Sequence, residues 1–187
     1  MRVTPTALPE VLLLEPDVFG DARGYFFETW QEKRYAELGL PAKFVQDNVS
    51  RSAKGILRGL HLQEPYAQGK LVQVLDGEVL DVALDVRVGS SNFGRWVSER
   101  LSSDNHKQLY VPPGFAHGFC VLSDSALLQY KCTELYHPET EVSVLWNDPQ
   151  LAIDWPVREP VLSKKDAAAQ PLAAIPRERL PRYRANS

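Results

Sequence analysis

The chain of 187 residues is poor in cysteine, in basic charge and in long apolar segments. Its two cysteines, Cys120 and Cys132, are too few for a disulfide framework, which predicts a reducing, cytoplasmic setting. A formal net charge of −3 and a pI near 5.8 argue against a nucleic-acid binder, since such proteins present a basic field. No apolar run approaches the roughly 20 residues that span a bilayer, so we expect no membrane segment. The run at residues 11–14 is also too short for a signal-peptide core.

Several motifs that define other chemistries are missing as well. The chain has no G-x-G-x-x-G dinucleotide loop and no G-x-x-x-x-G-K-[ST] phosphate loop. Gly69 and Lys70 come near the phosphate loop, but Glu64 replaces its first glycine. Residues 89–93 lack the second glycine of a nucleophile elbow, and neither C-x-x-C nor H-E-x-x-H is present. The usual sequence support for dinucleotide, phosphate-loop, nucleophile-elbow and zinc chemistry is therefore absent.

What the chain does have is a series of short β-rich runs separated by turn residues. The predicted strands cover residues 70–75, 78–87, 108–111, 118–122, 126–133 and 141–146. Asp76 and Gly77 predict a two-residue hairpin between the first two of these strands. In the second strand the even-numbered residues 80–86 are apolar and their neighbours are more polar, which predicts one buried face.

Helical signals are few and lie towards the two ends of the chain. Residues 30–38 are predicted to form a short helix that ends at Gly39 and Pro41. Ser163 resembles a helix N-cap, with the acidic residue Asp166 three positions later.

The order of these elements predicts the fold class. Since no βαβ alternation is visible, we expect a mainly β protein, an antiparallel sandwich or barrel with short terminal helices. The length suits one domain, residues 1–187, with an N-terminal arm at 1–20 and a helical or irregular segment at 160–187.

Two segments that contain histidine share a known pattern. Gly55 is followed by five residues, His61 and, two positions later, Gln63, and residues 112–117 read P-x-G-x-x-H and end at His117. These segments resemble the two motifs of the cupin double-stranded β-helix, a jelly-roll barrel. The first cupin motif has a glycine, five further residues and H-x-H, so Gln63 replaces its second histidine. Two imidazoles without the motif's carboxylate make a poor iron or manganese site. We therefore expect neither a metal nor another cofactor.

One metal-free branch of this fold matches more closely. The matching segments are residues 20–28 (GDARGYFFE), 46–48 (QDN), 55–61 (GILRGLH), 67–70 (AQGK), 93–96 (FGRW), 113–119 (PGFAHGF), 130–133 (YKCT) and 154–156 (DWP). On these segments the chain resembles the dTDP-4-dehydrorhamnose 3,5-epimerase family from about residue 11 to residue 166. Conversion of dTDP-4-dehydro-6-deoxy-D-glucose to dTDP-4-dehydro-L-rhamnose, a step of dTDP-L-rhamnose biosynthesis, is the activity that this resemblance implies.

Epimerisation beside a ketone needs a base on one face of the carbon, an acid on the other and stabilisation of the enolate. His61 is the expected base, because an imidazole titrates near neutral pH. Tyr130 is the expected acid, because a phenol keeps its proton at neutral pH. Lys70 is expected to stabilise the enolate oxygen. Asp166 matches the acid that orients the base, and it also fits a helix N-terminus; the two roles are compatible.

The resemblance implies a second set of residues that bind the substrate. Arg23, Arg58 and Lys165 are expected to face the diphosphate, since guanidinium groups suit phosphate oxygens. Phe26 and Tyr136 are expected to hold the thymine ring by stacking. The remaining positions that match sugar or nucleotide contacts are Glu28, Gln46, Asn48, His117 and Glu141.

Three other functions compete with this interpretation. A related enzyme could invert only C3 or only C5, and Leu62, Gln129 and Lys164 depart from the family's pattern around the pocket. A metal-dependent cupin oxygenase or isomerase would need the lost ligands. A non-catalytic sugar-binding cupin would keep the arginines but would not need His61 and Tyr130 as a pair.

We also expect a homodimer whose partner is a second copy of the chain. Related cupins pair through their sheets, and the apolar residues 11–14 offer a surface that a partner would cover.

Overall fold

The computed structural model describes residues 1–41 and 43–184, and most of the regular structure in them is antiparallel β-sheet. The helices are α1 (Glu32–Glu37) and α2 (Lys164–Ala167), and 3-10 turns lie at Pro138–Thr140, Leu172–Ala174 and Arg177–Arg179. The strands are β1 (Arg2–Pro5), β2 (Leu12–Glu15), β3 (Val18–Asp21), β4 (Gly24–Phe27), β5 (Gln46–Ala53), β6 (Leu57–Gln63), β7 (Lys70–Asp76), β8 (Glu78–Asp85), β9 (Trp96–Ser102), β10 (Gln108–Val111), β11 (Phe115–Val121), β12 (Ser125–Cys132) and β13 (Glu141–Ser143).

Two large sheets pack face to face. One has six strands in the order β1-β2-β10-β7-β12-β5, and the other has five in the order β13-β6-β11-β8-β9. Strands β3 and β4 form a separate two-stranded hairpin. The prediction of a mainly β, antiparallel fold with short helices near the ends is confirmed.

Alternate side chains of both sheets fill the space between them. Val72 and Val74 of β7 and Leu128 of β12 meet Val79 and Ala83 of β8 in one buried cluster. Lys70, at the start of β7, lies outside this cluster and lines an open cavity. The space between the sheets is therefore divided between an aliphatic core and an open cavity.

The outer face of the five-stranded sheet is covered by the C-terminal part of the chain. Val82 and Leu84 of β8 pack in a second cluster that includes Trp155, Leu172 and Ile175. The prediction that this strand buries only one face is wrong, because both faces lie in a core. The more polar face of the strand is the one that points between the sheets.

The predicted hairpin at Asp76 and Gly77 is also wrong. Strand β7 belongs to the six-stranded sheet and β8 to the five-stranded sheet, so the turn carries the chain from one sheet to the other. Gly77 has a positive φ of +83°, and a Cβ there would lie 2.1 Å from the carbonyl oxygen of Ser125. Asp76 and Gly77 do lie at a turn, but turn residues do not specify whether the strands on each side of them pair with each other.

The N-terminal segment is part of the six-stranded sheet. Strand β2 pairs with β1 on one side and with β10 on the other. Val11 and Leu14 are fully buried within the chain, so neither offers a surface for a partner, whereas Leu12 and Leu13 are partly exposed. Helix α1, capped by Gln31, lies over this region and buries Tyr35 beside Leu14. None of the described helices is long and apolar enough to cross a membrane.

Candidate active site

A cavity of about 690 Å³ opens between the two sheets. All four predicted catalytic residues and seven of the ten predicted substrate-binding residues line it. They are His61, Lys70, Tyr130, Asp166, Gln46, Asn48, Arg58, His117, Tyr136, Glu141 and Lys165.

His61 is held by a carboxylate from the far end of the sequence. Its Nε2 lies 2.5 Å from Oδ1 of Asp166. A carboxylate only accepts hydrogen bonds, so Nε2 carries the proton and Nδ1 is the basic nitrogen. The backbone N–H of Asp166 donates to the Ser163 hydroxyl at 3.1 Å, which is the predicted N-cap. Both structural features expected of Asp166, the contact with His61 and the place at a helix N-terminus, are present.

Glu141 links three groups at the mouth of the cavity. It accepts hydrogen bonds from the Lys165 ammonium and, at 2.8 Å, from the Tyr136 hydroxyl. Its Oε1 lies 3.9 Å from Nε2 of His61. Burial acts to raise the pKa of Glu141, but the hydrogen bonds from Lys165 and Tyr136 outweigh it and hold that pKa below its ordinary value. A charged carboxylate therefore stands beside His61, the predicted base.

Tyr130 and Lys70 lie on the opposite wall, in the six-stranded sheet. Tyr130 pairs with Val72 and Cys132 pairs with Lys70, which makes Tyr130 and Lys70 diagonal neighbours on adjacent strands. Burial raises the pKa of the Tyr130 phenol, so it stays protonated at neutral pH. Burial lowers the pKa of the Lys70 ammonium, and no described carboxylate forms a salt bridge with it. The predicted base and the predicted acid thus come from facing sheets.

A second histidine–carboxylate pair lies beside the first. His117 is the Cα partner of His61 across β6 and β11. Its Nε2 lies 2.9 Å from both oxygens of Asp81, whose side chain is completely buried. Asp81 was not among the predicted site residues, and its place among the more polar residues of β8 was the available signal.

The inner row of strand β5 presents polar groups to the cavity. Gln46 donates to Asn48 at 3.0 Å and accepts the backbone N–H of Tyr136 at 2.9 Å. At the other end of the row, the Ser52 hydroxyl accepts from Nε of Arg58 at 3.0 Å. This contact leaves both terminal nitrogens of Arg58 free for an anion, since no described acidic group pairs with them.

Three predicted binding residues lie outside the cavity of their own chain. Arg23 is on the turn of the β3–β4 hairpin and pairs with Asp21. Phe26 is 70% exposed on the same hairpin. Glu28 follows the hairpin and pairs with Arg34 at 3.0 Å. Within one chain, the structure does not bring these residues to the site.

The position of the lost cupin ligand is occupied by a buried amide. Gln63 donates from Nε2 to the carbonyl oxygens of Tyr66 and Leu135 at 2.9 and 3.1 Å, and it accepts the N–H of His137 at 2.9 Å. Across residues 1–41 and 43–184, no group of three or more His, Cys, Asp or Glu side chains is placed to hold a metal ion.

The fold and cavity define a class: a jelly-roll protein whose cavity between two sheets is lined by a histidine–carboxylate pair, a tyrosine and a lysine. The dTDP-4-dehydrorhamnose 3,5-epimerase family matches residues 5–174. A dTDP-4-dehydrorhamnose 3,5-epimerase of Pseudomonas aeruginosa is 54% identical over 175 residues, 92% of this chain and 97% of that protein. A dTDP-4-dehydrorhamnose 3-epimerase of Streptomyces niveus is 40% identical over 92% of this chain and 84% of that protein.

The same family appears among solved structures. The Legionella pneumophila dTDP-6-deoxy-D-glucose-3,5-epimerase, crystallised with dTDP-4-keto-L-rhamnose, superposes with a TM-score of 0.96 and 56% identity, covering 98% of this chain and 99% of that chain. The chain belongs to the dTDP-4-dehydrorhamnose 3,5-epimerase family. The superposition and the family membership together confirm the predicted cupin-like fold.

Proposed function

We propose that the chain inverts C3 and C5 of dTDP-4-dehydro-6-deoxy-D-glucose to give dTDP-4-dehydro-L-rhamnose. One observation carries the proposal: a histidine paired with a carboxylate and a protonated tyrosine face one cavity from opposite sheets. A planar enolate between them is open to deprotonation on one face and reprotonation on the other. The family match over residues 5–174 supports the substrate class.

In the proposed mechanism, Nδ1 of His61 removes the proton next to the C4 ketone while Asp166 stabilises the imidazolium that forms. Lys70 stabilises the enolate oxygen. Burial disfavours its charge, and an anion forming beside it supplies the missing partner. Tyr130 then donates its phenolic proton from the opposite face. The electron pair of the C–H bond is held on the enolate oxygen between these two transfers, so no redox step is involved.

Incubation with the 4-keto sugar in deuterated water tests the function. We expect deuterium at both C3 and C5 together with inverted configuration at both carbons. Label and inversion at one carbon only would indicate the single-centre activity that the Streptomyces niveus relative's name describes. A folded protein that incorporates deuterium at neither carbon would contradict the epimerase proposal and favour the non-catalytic sugar-binding alternative.

The proposal includes a homodimer in which the β3–β4 hairpin reaches the partner's cavity. The hairpin exposes Phe19, Tyr25 and Phe26, at 66%, 58% and 70%, which is a costly arrangement for aromatic side chains of a lone chain. It also carries Arg23, which suits a diphosphate but lies away from the chain's own site. A second copy is the partner that would cover these rings and use this arginine. Since both cysteines are free and buried, we place the enzyme in the reducing cytoplasm.

Complementation between two inactive variants tests the dimer. Arg23→Ala and His61→Asn are each expected to be nearly inactive, and co-refolded mixtures are expected to regain activity because one site of each mixed dimer has both residues. Light scattering should give about twice the 21.1 kDa chain mass. A monomer mass at micromolar concentration, or no recovery on mixing, would contradict the arrangement.

A further inference from the structure

The loop that carries Tyr136 has no regular secondary structure, although Tyr136 stands at the mouth of the cavity. Its phenol donates to Glu141, the neighbour of the catalytic base. An irregular loop needs side-chain hydrogen bonds to hold its backbone in one position, because no strand partner supplies them. The hydrogen bonds of this loop therefore decide where the Tyr136 ring lies.

Gln63 supplies two of these hydrogen bonds from inside the protein. Its amide accepts the N–H of His137 and donates to the carbonyl oxygen of Leu135, the residues on each side of Tyr136. A third bond, to the carbonyl oxygen of Tyr66, joins a second loop to the first. The side chain of Gln63 is only 3% exposed, so water does not compete for these groups.

The geometry points to Gln63 as a positioning residue that holds the Tyr136 ring for the nucleotide part of the substrate. The inference rests on the proposed function, which supplies the nucleotide. Gln63 stands two residues after His61 on strand β6, at the position where the cupin motif places a metal ligand. An amide is a weak ligand for a transition metal, but its two N–H groups and its oxygen match three backbone partners.

Calorimetric titration of Gln63→Met with dTDP and with inorganic pyrophosphate tests the role. Methionine keeps the volume and removes all three hydrogen bonds. We expect dTDP to bind about 5- to 30-fold more weakly, part of the effect of losing a stacked base, and pyrophosphate to bind within twofold of wild type. In turnover, KM should rise while kcat stays within about threefold, because His61 and Tyr130 are untouched.

Gln73→Met is the matched control. Gln73 is also a buried interior glutamine, 6% exposed, and it bonds to Gln129 and Gln108 away from the cavity. We expect it to lower the melting temperature without changing the affinity for dTDP. This separates a general loss of interior hydrogen bonds from an effect on the loop.

A double-mutant cycle with Tyr136→Ala decides the mechanism. If Gln63 acts through the ring, Gln63→Met should change dTDP affinity by less than twofold once Tyr136 is alanine. Additive losses, equal losses for dTDP and pyrophosphate, or a fall in kcat at unchanged KM would each overturn the assignment. Gln63→Glu, which keeps the acceptor for His137, serves if the methionine variant does not fold. Only ratios of binding constants enter the cycle, whereas turnover of the wild-type chain tests the proposed function separately.

Discussion

Two histidine–carboxylate pairs stand next to each other on the five-stranded sheet, and they differ in their exposure to solvent. The His61 side chain is 25% exposed, and its partner Asp166 comes from the short helix α2 at the cavity mouth. The His117 side chain is 8% exposed, and its partner Asp81 is a completely buried residue of strand β8. The same two residue types therefore stand in two environments a few ångströms apart.

This difference assigns different tasks to the two pairs. His61 binds one carboxylate oxygen and reaches the open cavity, where a substrate proton can be taken and exchanged with water. His117 lies at equal distance from both oxygens of Asp81 in the interior, which fixes its ring. We infer that the first pair transfers protons and that the second holds the wall of the cavity.

Replacement of His61 by asparagine tests the first pair and is expected to have the largest effect on the reaction rate. The variant keeps a polar side chain but has no base, and loss of a general base costs on the order of 10² to 10⁴ in rate. Solvent exchange at C3 and C5 and inversion at both should fall together. Nuclear magnetic resonance of the sugar in deuterated water measures both, and exchange at the wild-type rate would refute His61 as the base.

Tyr130→Phe should separate the two halves of the reaction. Only the phenolic proton is removed, so His61 can still form the enolate and return a proton to the same face. Inversion is expected to fall towards the lower end of the same range, about 10², while exchange persists. Wild-type inversion at both carbons would place the acid elsewhere. Inversion of one carbon alone would restrict Tyr130 to the other centre and show how single-centre relatives arise.

His117→Asn should reduce stability more than chemistry. The fully buried Asp81 carboxylate keeps at most part of its hydrogen bonding, and an unsatisfied buried group costs about 1–3 kcal/mol. For a domain of this size, at about 2–4 °C per kcal/mol, we expect the melting temperature to fall by about 2–12 °C. Turnover should fall by no more than about tenfold, the value of one hydrogen bond to the substrate. A loss of exchange as large as that in His61→Asn would show that both pairs transfer protons.

The sequence predicted both members of the His61–Asp166 pair but only His117 of the His117–Asp81 pair, for a physical reason. His61, Tyr130 and Lys70 were found because their chemistry and their motifs point to a site. Asp166 lies 105 residues from His61, and it was found only through the family resemblance, because local periodicity carries no such contact. Asp81 was missed because the apolar and polar alternation in β8 predicts only one buried face, whereas both faces of the strand are buried.

The fold shows the same boundary between local and long-range information. The turn at Gly77, the strands on each side and the N-cap at Ser163 follow from nearest-neighbour geometry and were predicted. Which sheet β8 joins depends on pairing with β9 and β11, and the hairpin signal could not specify it. The position of the β3–β4 hairpin relative to the cavity is likewise a long-range property, and no turn or strand signal in residues 18–27 specifies it.

The smallest expected effect concerns the acid stability that the His61 pair contributes. Burial acts to raise the pKa of Asp166, but its hydrogen bond with His61 outweighs burial and holds the pKa below its ordinary value of 3.8. A folded-state pKa below the ordinary value means that the ionised carboxylate stabilises the fold at pH values above about 3.8. This stabilisation is lost as the pH falls through the folded-state pKa.

We expect Asp166→Asn to lower the melting temperature at pH 7 by a few degrees, about the effect of 1 kcal/mol in a domain of this size. The difference in melting temperature between the variant and wild type should shrink below about pH 4, where protonation makes the wild-type carboxyl neutral, as the asparagine amide is. Thermal unfolding of both proteins from pH 7 to pH 3 measures it, with the exposed Asp104→Asn as control. A gap between Asp166→Asn and wild type that stays constant over this range would mean that the pair does not stabilise the fold through its charge.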